Sequence, residues 1–198
     1  DKYGLELSLA LQKAGVKVSV LCFNRFGTTA EQENFALMEA AGIPYLVLGK
    51  GSTLSKLHSA ELRAFCRKNN VSIAHSHFPV GNLAGLRLRT HGEVKTTVRT
   101  AHISKEWGNG PLAWVCRQIF SGLLYPLLTD QVVGVSQAIT GQLNATLGGR
   151  LSRHKAITIY NGIPQRWFTQ GGTLPQKKPH MIGAAGLLIR RKGFDLLI

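Results

Sequence analysis

Cysteine is nearly absent: Cys22, Cys66 and Cys116 are the only three in 198 residues, far apart and never in C-x-x-C spacing. This excludes a disulfide-stapled secreted scaffold and a paired-cysteine redox or zinc motif. It implies reduced thiols buried as small hydrophobes, hence a cytoplasmic protein. Acidic residues are scarce too, 10 against 24 Lys+Arg, which leaves a formal net charge of +14. No apolar run approaches the roughly 18 residues that a membrane-spanning helix requires, and no signal-peptide pattern opens the chain. There is no G-x-S-x-G elbow and no Ser-His-Asp or Cys-His set, so a nucleophilic hydrolase is not indicated. A helix-turn-helix, an RNP signature and a basic patch interleaved with aromatics are all missing, which argues against nucleic acid as a partner. Low-complexity tracts and short internal repeats are missing as well.

What is present is globular: 44% of the residues are hydrophobic, and the chain is long enough to bury a substantial core. The positive charge is uneven. Residues 1–60 hold six Lys/Arg against five Asp/Glu, whereas residues 61–198 hold eighteen against five. This implies an anionic partner, and because the basic residues are dispersed, a phosphorylated small molecule or an anionic membrane face fits better than a nucleic acid.

Along the chain, strand and helix signals alternate. Leu5 to Ala14, closed by Gly15, predicts a helix; Val16 to Phe23 a strand; Glu31 to Ala41 a helix stopped by Gly42; and Ile43 to Leu48, with Pro44, a strand near an edge. Leu54 to Lys68 predicts one helix with Leu54, Leu57, Leu62 and Phe65 available for its buried face and Arg63 and Arg67 on an exposed one. The alternation continues as strand 71–75, helix 81–89, strand 95–100, helix 112–124, strand 131–135, helix 137–147 and a buried strand 157–159, which the Asn161-Gly162 turn stops. This pattern predicts an α/β fold, a Rossmann-like doubly wound parallel sheet with helices on both faces. The strand expected before the first helix is not present, residue 1 is Asp, and Ile198 falls inside an expected helix, so the chain reads as truncated at both ends. The organisation expected is a domain over 1–165, a linker over 166–179 rich in Gly, Pro and Lys, and the start of a second domain over 180–198.

In open parallel sheets ligands bind beyond the carboxyl ends of the strands, which singles out His75, His77, His102 and Ser136. His75 and His77 share one face of an extended strand. With no third His, Cys or carboxylate nearby in sequence no metal is expected, and the roles that remain are a buried, hydrogen-bonded histidine and a polar cleft residue. Ser136 suits a helix N-cap, and a helix N-terminus at a strand end is also an anion site. At the far end, MIGAAGLLIRRKGFDLLI reads as a strand leading through Gly183 and Gly186 to Arg190, Arg191 and Lys192 and a helix near Gly193, aiming positive charge and free N–H groups at an anion.

GLELSLALQKAGVKVSV at the start, AHSH at His75 and His77, TTVRTAH ending in His102, DQVVGVSQAI with Ser136, the Asn161-Gly162-Ile163 turn and AGLLIRRKGFDLLI stand in the same order as the signatures of the family 4 glycosyltransferases. The chain resembles the N-terminal half of those retaining, two-domain GT-B enzymes, followed by the first strand and helix start of the donor domain. The resemblance implies transfer of a hexosyl-type sugar from a nucleotide-sugar to a saccharide or lipid-linked acceptor, in cell-envelope polysaccharide or glycolipid synthesis, without a metal, a cofactor or a protein nucleophile. It implies that His102 faces the donor sugar and that Lys192 holds the diphosphate. Gly186, Leu188, Lys192 and Gly193 match the family's G-R-L-x-x-x-K-G stretch; Leu187 stands where its arginine would be, and Arg190 or Arg191 is the candidate replacement. Glu106 is a candidate acceptor contact and otherwise an exposed loop acid; Asn161 and Gly162 are candidate cleft contacts. A loop histidine that merely caps the next element remains the bland alternative for His102.

The largely apolar stretch from Pro111 to Leu128 is interrupted by Arg117, Gln118 and Pro126, which makes it a core or interfacial helix. With Arg63, Arg67, Lys68, Arg87 and Arg89 it suits peripheral attachment to the inner face of the cytoplasmic membrane. The competing reading is a non-catalytic Rossmann-like module that binds a nucleotide or polyanion; GT-B epimerases and phosphorylases fit the motifs less well. Residues 1–198 alone are expected to be inactive, because most of the donor domain lies outside them.

Overall fold

The computed structural model describes residues 2–49, 51–102 and 110–163. The chain divides into two units, Asp1–Gly162 and Ile163–Ile198, and every helix and strand of the described residues belongs to the first. The expected linker over 166–179 and second-domain start over 180–198 lie outside the described residues.

In chain order the elements are α1 (Lys2–Lys13), β1 (Val20–Cys22), α2 (Thr29–Ala40), β2 (Tyr45–Val47), α3 (Thr53–Leu57), α4 (Ala60–Lys68), β3 (Ile73–Ser76), α5 (Pro79–Thr90) and β4 (Thr96–Ala101). Then come α6 (Pro111–Cys116), a π-helical segment (Arg117–Leu124), α7 (Tyr125–Leu128), β5 (Gln131–Gly134), α8 (Gln137–Ala145), α9 (Leu147–Leu151) and β6 (Ile157–Thr158). The strands form two parallel sheets, β1-β2 and β3-β4-β5-β6, the second in chain order. Parallel neighbours require crossover connections, and the helices supply them, so the Rossmann-like α/β reading holds.

Several boundaries differ from the sequence reading, each for a local reason. The single helix expected over 54–68 is two, because Ser59 leaves the helical conformation and its hydroxyl accepts the Leu62 N–H at 3.4 Å as the N-cap of α4. Thr146 does the same after α8: it is extended, accepts the Gly149 N–H at 3.1 Å and starts α9. The helix expected over 112–124 runs from Pro111 to Leu128, through a π-helical stretch that shifts its faces. The strand at Ile157 is not buried: Ile157 is 46% and Ile159 53% exposed, since β6 is the last strand of its sheet. Asn161 and Gly162 keep negative φ, so the turn there does not use the left-handed conformation expected of Asn-Gly.

Two apolar clusters hold the unit together. Leu62 and Cys66, one helical turn apart on α4, pack with Ala84 and Leu88 of α5 and with Val94, and Leu21, Phe23 and Ala74 border them. Leu5, Met38 and Ile43 join α1, α2 and the approach to β2. Each buried Leu or Met contributes about 1.5–3 kcal/mol relative to exposure. Gly134 at the end of β5 lets α8 approach closely, since a Cβ there would stand 2.9 Å from the Thr140 backbone nitrogen.

Candidate active site

Parallel pairing places the carboxyl ends of β3, β4, β5 and β6 side by side. His75 is opposite Val98, Ala101 opposite Gly134, and Gly134 opposite Thr158. Paired residues in a parallel sheet share a face, and the face repeats every second residue. His75 and His77 therefore stand on the same side as Val98, Thr100 and His102.

The side chains meet there. His77 Nδ1 and His102 Nε2 are hydrogen bonded at 3.1 Å, and His75 Nε2 and Thr100 Oγ1 at 2.8 Å. The rings of His75 and His77 lie 4.5 Å apart, and the Tyr3 ring of α1 makes T-shaped contacts with His102 at 5.2 Å and with His77 at 6.0 Å. The backbone leading out of β3 is fixed as well. Phe78 is extended, at φ −138° and ψ 157°, and Pro79 opens α5 behind it, a residue that disfavours helical backbone in the one before it.

Three imidazoles this close cannot all be charged. Burial pushes the His77 pKa down to about 4, and the charges of His75 and His102 add to the effect. His75 is lowered in the same direction, first by desolvation and then by His102; its outer edge is open to solvent, but the protein packed around the rest of the ring still disfavours the cation. His75 and His77 are thus neutral donors and acceptors at physiological pH, beside His102, and suited to binding hydroxyl groups.

Ser136 follows β5 and its hydroxyl accepts the Ile139 N–H at 3.3 Å, so it is the N-cap of α8 as its sequence suggested. The helix N-terminus it caps opens at the same end of the sheet as the histidines. Asn161 and Gly162 follow β6 at that end and are exposed. Glu106, Arg190, Arg191 and Lys192 lie outside the described residues. Among the described residues no group of three His, Cys, Asp or Glu side chains is placed to hold a metal, and no helix is long and apolar enough to cross a membrane.

Sequence reasoning missed Tyr3 and Thr100. Thr100 carried a signal, because alternation in β4 puts it on the same face as His102. For Tyr3 nothing local pointed to the strand ends; only the packing of α1 brings it there. Phe78, 57% exposed beside His77, is a further aromatic at this end of the sheet.

The family model described as Glycosyltransferase Family 4 matches residues 2–167. No curated protein and no solved structure matches the chain. The matched span contains α1 through β6 and all three histidines of the cluster.

Proposed function

On the premise that the chain belongs to glycosyltransferase family 4, we propose that it is the acceptor-side half of a retaining enzyme that moves a hexosyl group from a nucleotide-sugar to a saccharide or lipid-linked acceptor. The observation that carries this reading is the hydrogen-bonded histidine cluster at the carboxyl ends of β3 and β4, inside the matched span. His102 donates or accepts a hydrogen bond at the donor sugar. Lys192, with Arg190 or Arg191, neutralises the departing diphosphate, and helix N-termini such as that of α8 add fixed dipoles; this electrostatic stabilisation is the main catalytic term. The scheme uses no metal and no protein nucleophile. Cell-envelope polysaccharide or glycolipid synthesis is the setting it suits.

The test is a panel of nucleotide-sugars offered to the full-length protein in a thermal-shift assay, followed by a transfer assay with the donor that stabilises it. Stabilisation by one nucleotide-sugar and transfer with retained anomeric configuration are expected; no stabilisation by any member of the panel sinks the reading.

Peripheral attachment to an anionic membrane accompanies this proposal. Leu112, Val115 and Ile119, 76%, 41% and 45% exposed, leave apolar surface along the 111–128 helix. Of the five basic residues expected to supply charge, Arg67 is paired with Glu93 and Arg89 with Asp130, which leaves Arg63, Lys68 and Arg87 to carry the attraction. Sedimentation with anionic and with neutral vesicles separates the outcomes: binding to the anionic ones only is expected, and equal behaviour toward both ends the idea.

A further inference from the structure

We propose that His77 is a positioning residue, whose hydrogen bond to His102 fixes the tautomer and the ring orientation of the histidine at the donor sugar. The inference rests on the transferase reading for its functional meaning and on geometry for its substance. The bond joins His77 Nδ1 to His102 Nε2 at 3.1 Å. A bond between two ring nitrogens holds one proton, so one ring is the donor and the other the acceptor, and the tautomer of His77 sets which role Nε2 of His102 takes. The low pKa of His77, about 4, keeps that ring neutral through the physiological range.

His77 is itself held. Its ring stacks at a tilt on His75, 4.5 Å away, which Thr100 anchors from β4 at 2.8 Å. Tyr3 makes a T-shaped contact with the His77 ring at 6.0 Å. Behind it the extended Phe78 and Pro79 at the start of α5 leave the backbone little freedom. A histidine at a strand end with no such neighbour samples both tautomers and several rotamers, and a group that must meet a sugar hydroxyl in one geometry loses rate for each of them.

The bond uses Nδ1, the ring nitrogen nearest the backbone, which gives the experiment its specificity. Asparagine can place an amide where Nδ1 stands; glutamine reaches instead toward the Nε2 position, and phenylalanine fills the ring volume with no nitrogen. Long-range ¹H–¹⁵N spectra of the imidazoles in the full-length enzyme report the tautomer, with His102 assigned by its loss in His102→Gln. The wild type is expected to show one tautomer at His102, His77→Phe an averaged pair of shifts, and His77→Asn a single tautomer again. With a donor in hand, kcat of His77→Phe should fall about three- to tenfold, the rate equivalent of one neutral hydrogen bond, while KM for the donor stays within about twofold and His77→Asn recovers the loss. Identical His102 spectra in wild type and His77→Phe overturn the proposal. Should His77→Phe fail to fold, the Asn and Gln variants decide, since equal His102 spectra in those two overturn it as well. The spectra need no substrate, so a donor screen that fails removes the transferase reading and leaves the His77–His102 result standing on its own.

Discussion

Asp130 ties three elements of this domain together through one carboxylate oxygen. It precedes β5, and one of its carboxylate oxygens accepts from the Thr97 N–H at 2.8 Å, the Thr97 hydroxyl at 3.0 Å and Arg89 Nη1 at 2.9 Å. Three elements, α5, β4 and the start of β5, are tied at one atom. Burial alone would raise the Asp130 pKa, but the N–H and hydroxyl of Thr97 and then the charge of Arg89 overcome it, and the carboxyl is held below its ordinary value. In Asp130→Ala the Thr97 N–H, on a residue only 3% exposed, loses its acceptor. An unsatisfied buried donor costs about 1–3 kcal/mol and a lost charge-assisted bond a similar amount, so a net loss of about 2–4 kcal/mol is expected once non-additivity is allowed for. For a chain of this length that lowers Tm by roughly 5–15 °C. Arg89→Ala removes the half-exposed ion pair and the exposed bond from Nη1 to the Leu128 carbonyl at 3.1 Å, together worth about 1 kcal/mol, and leaves the Thr97 bonds in place. Differential scanning calorimetry of the two variants therefore decides the matter: equal shifts, or an Asp130→Ala protein that melts within about 2 °C of wild type, refute the claim that the Thr97 bonds carry the weight. Because the folded pKa is depressed, the contribution is complete above the unfolded value of 3.8 and is lost as pH falls through the folded value below it, so the gap between wild type and Asp130→Ala should close in strong acid.

The strands were legible because β-branched runs such as Thr96–Ala101 and Gln131–Gly134 have no competing local preference. Helix interruptions were not, since Ser59 and Thr146 sit inside patterns that continue past them, and only the side-chain cap shows which conformation won. Each histidine of the cluster was visible as a strand-end residue, and alternation gave the face each occupies. The contact between His77 and His102 was not visible, because it depends on the register that sets His75 opposite Val98, and register is a property of two strands at once. Arg99 illustrates the same limit. Alternation gives no reason to bury an arginine in β4, yet it is 1% exposed with its guanidinium 4.9 Å from the centre of the Tyr125 ring, a cation–π partner that exists only once α7 has folded against the sheet.

His102→Ala should lower turnover strongly while Tm changes little, because a half-buried cleft side chain contributes little to the core; a Tm loss of many degrees with activity per folded molecule retained would make His102 structural. Lys192→Ala in the full-length enzyme should weaken nucleoside-diphosphate binding by roughly 1.5–3 kcal/mol in calorimetric titration, and unchanged affinity would place the diphosphate elsewhere. Gly134→Ala should destabilise by about 1–3 kcal/mol in urea unfolding at constant m, as its Cβ meets the Thr140 backbone nitrogen 2.9 Å away; a neutral result would mean α8 shifts freely. The acid behaviour of the histidine cluster gives the last test. His77 titrates near 4 in the folded state, chiefly through burial and then through the charges of His75 and His102, against an unfolded value of 6.5. Between those values the unfolded chain binds a proton that the folded one refuses, so stability is at its full level above pH 6.5 and declines as pH falls toward 4. The whole shift would correspond to about 3 kcal/mol; solvent at the ring edge screens part of it, which leaves about 2 kcal/mol. His75, lowered in the same direction, adds to the slope. Urea unfolding at pH 7 and pH 4.5 should therefore show the wild type losing more stability than His77→Phe, which has no proton to take up at that position. Equal losses in the two proteins would mean that His77 is protonated as readily in the folded domain as in the unfolded chain, and that its ring is not the desolvated, neutral group that its burial describes.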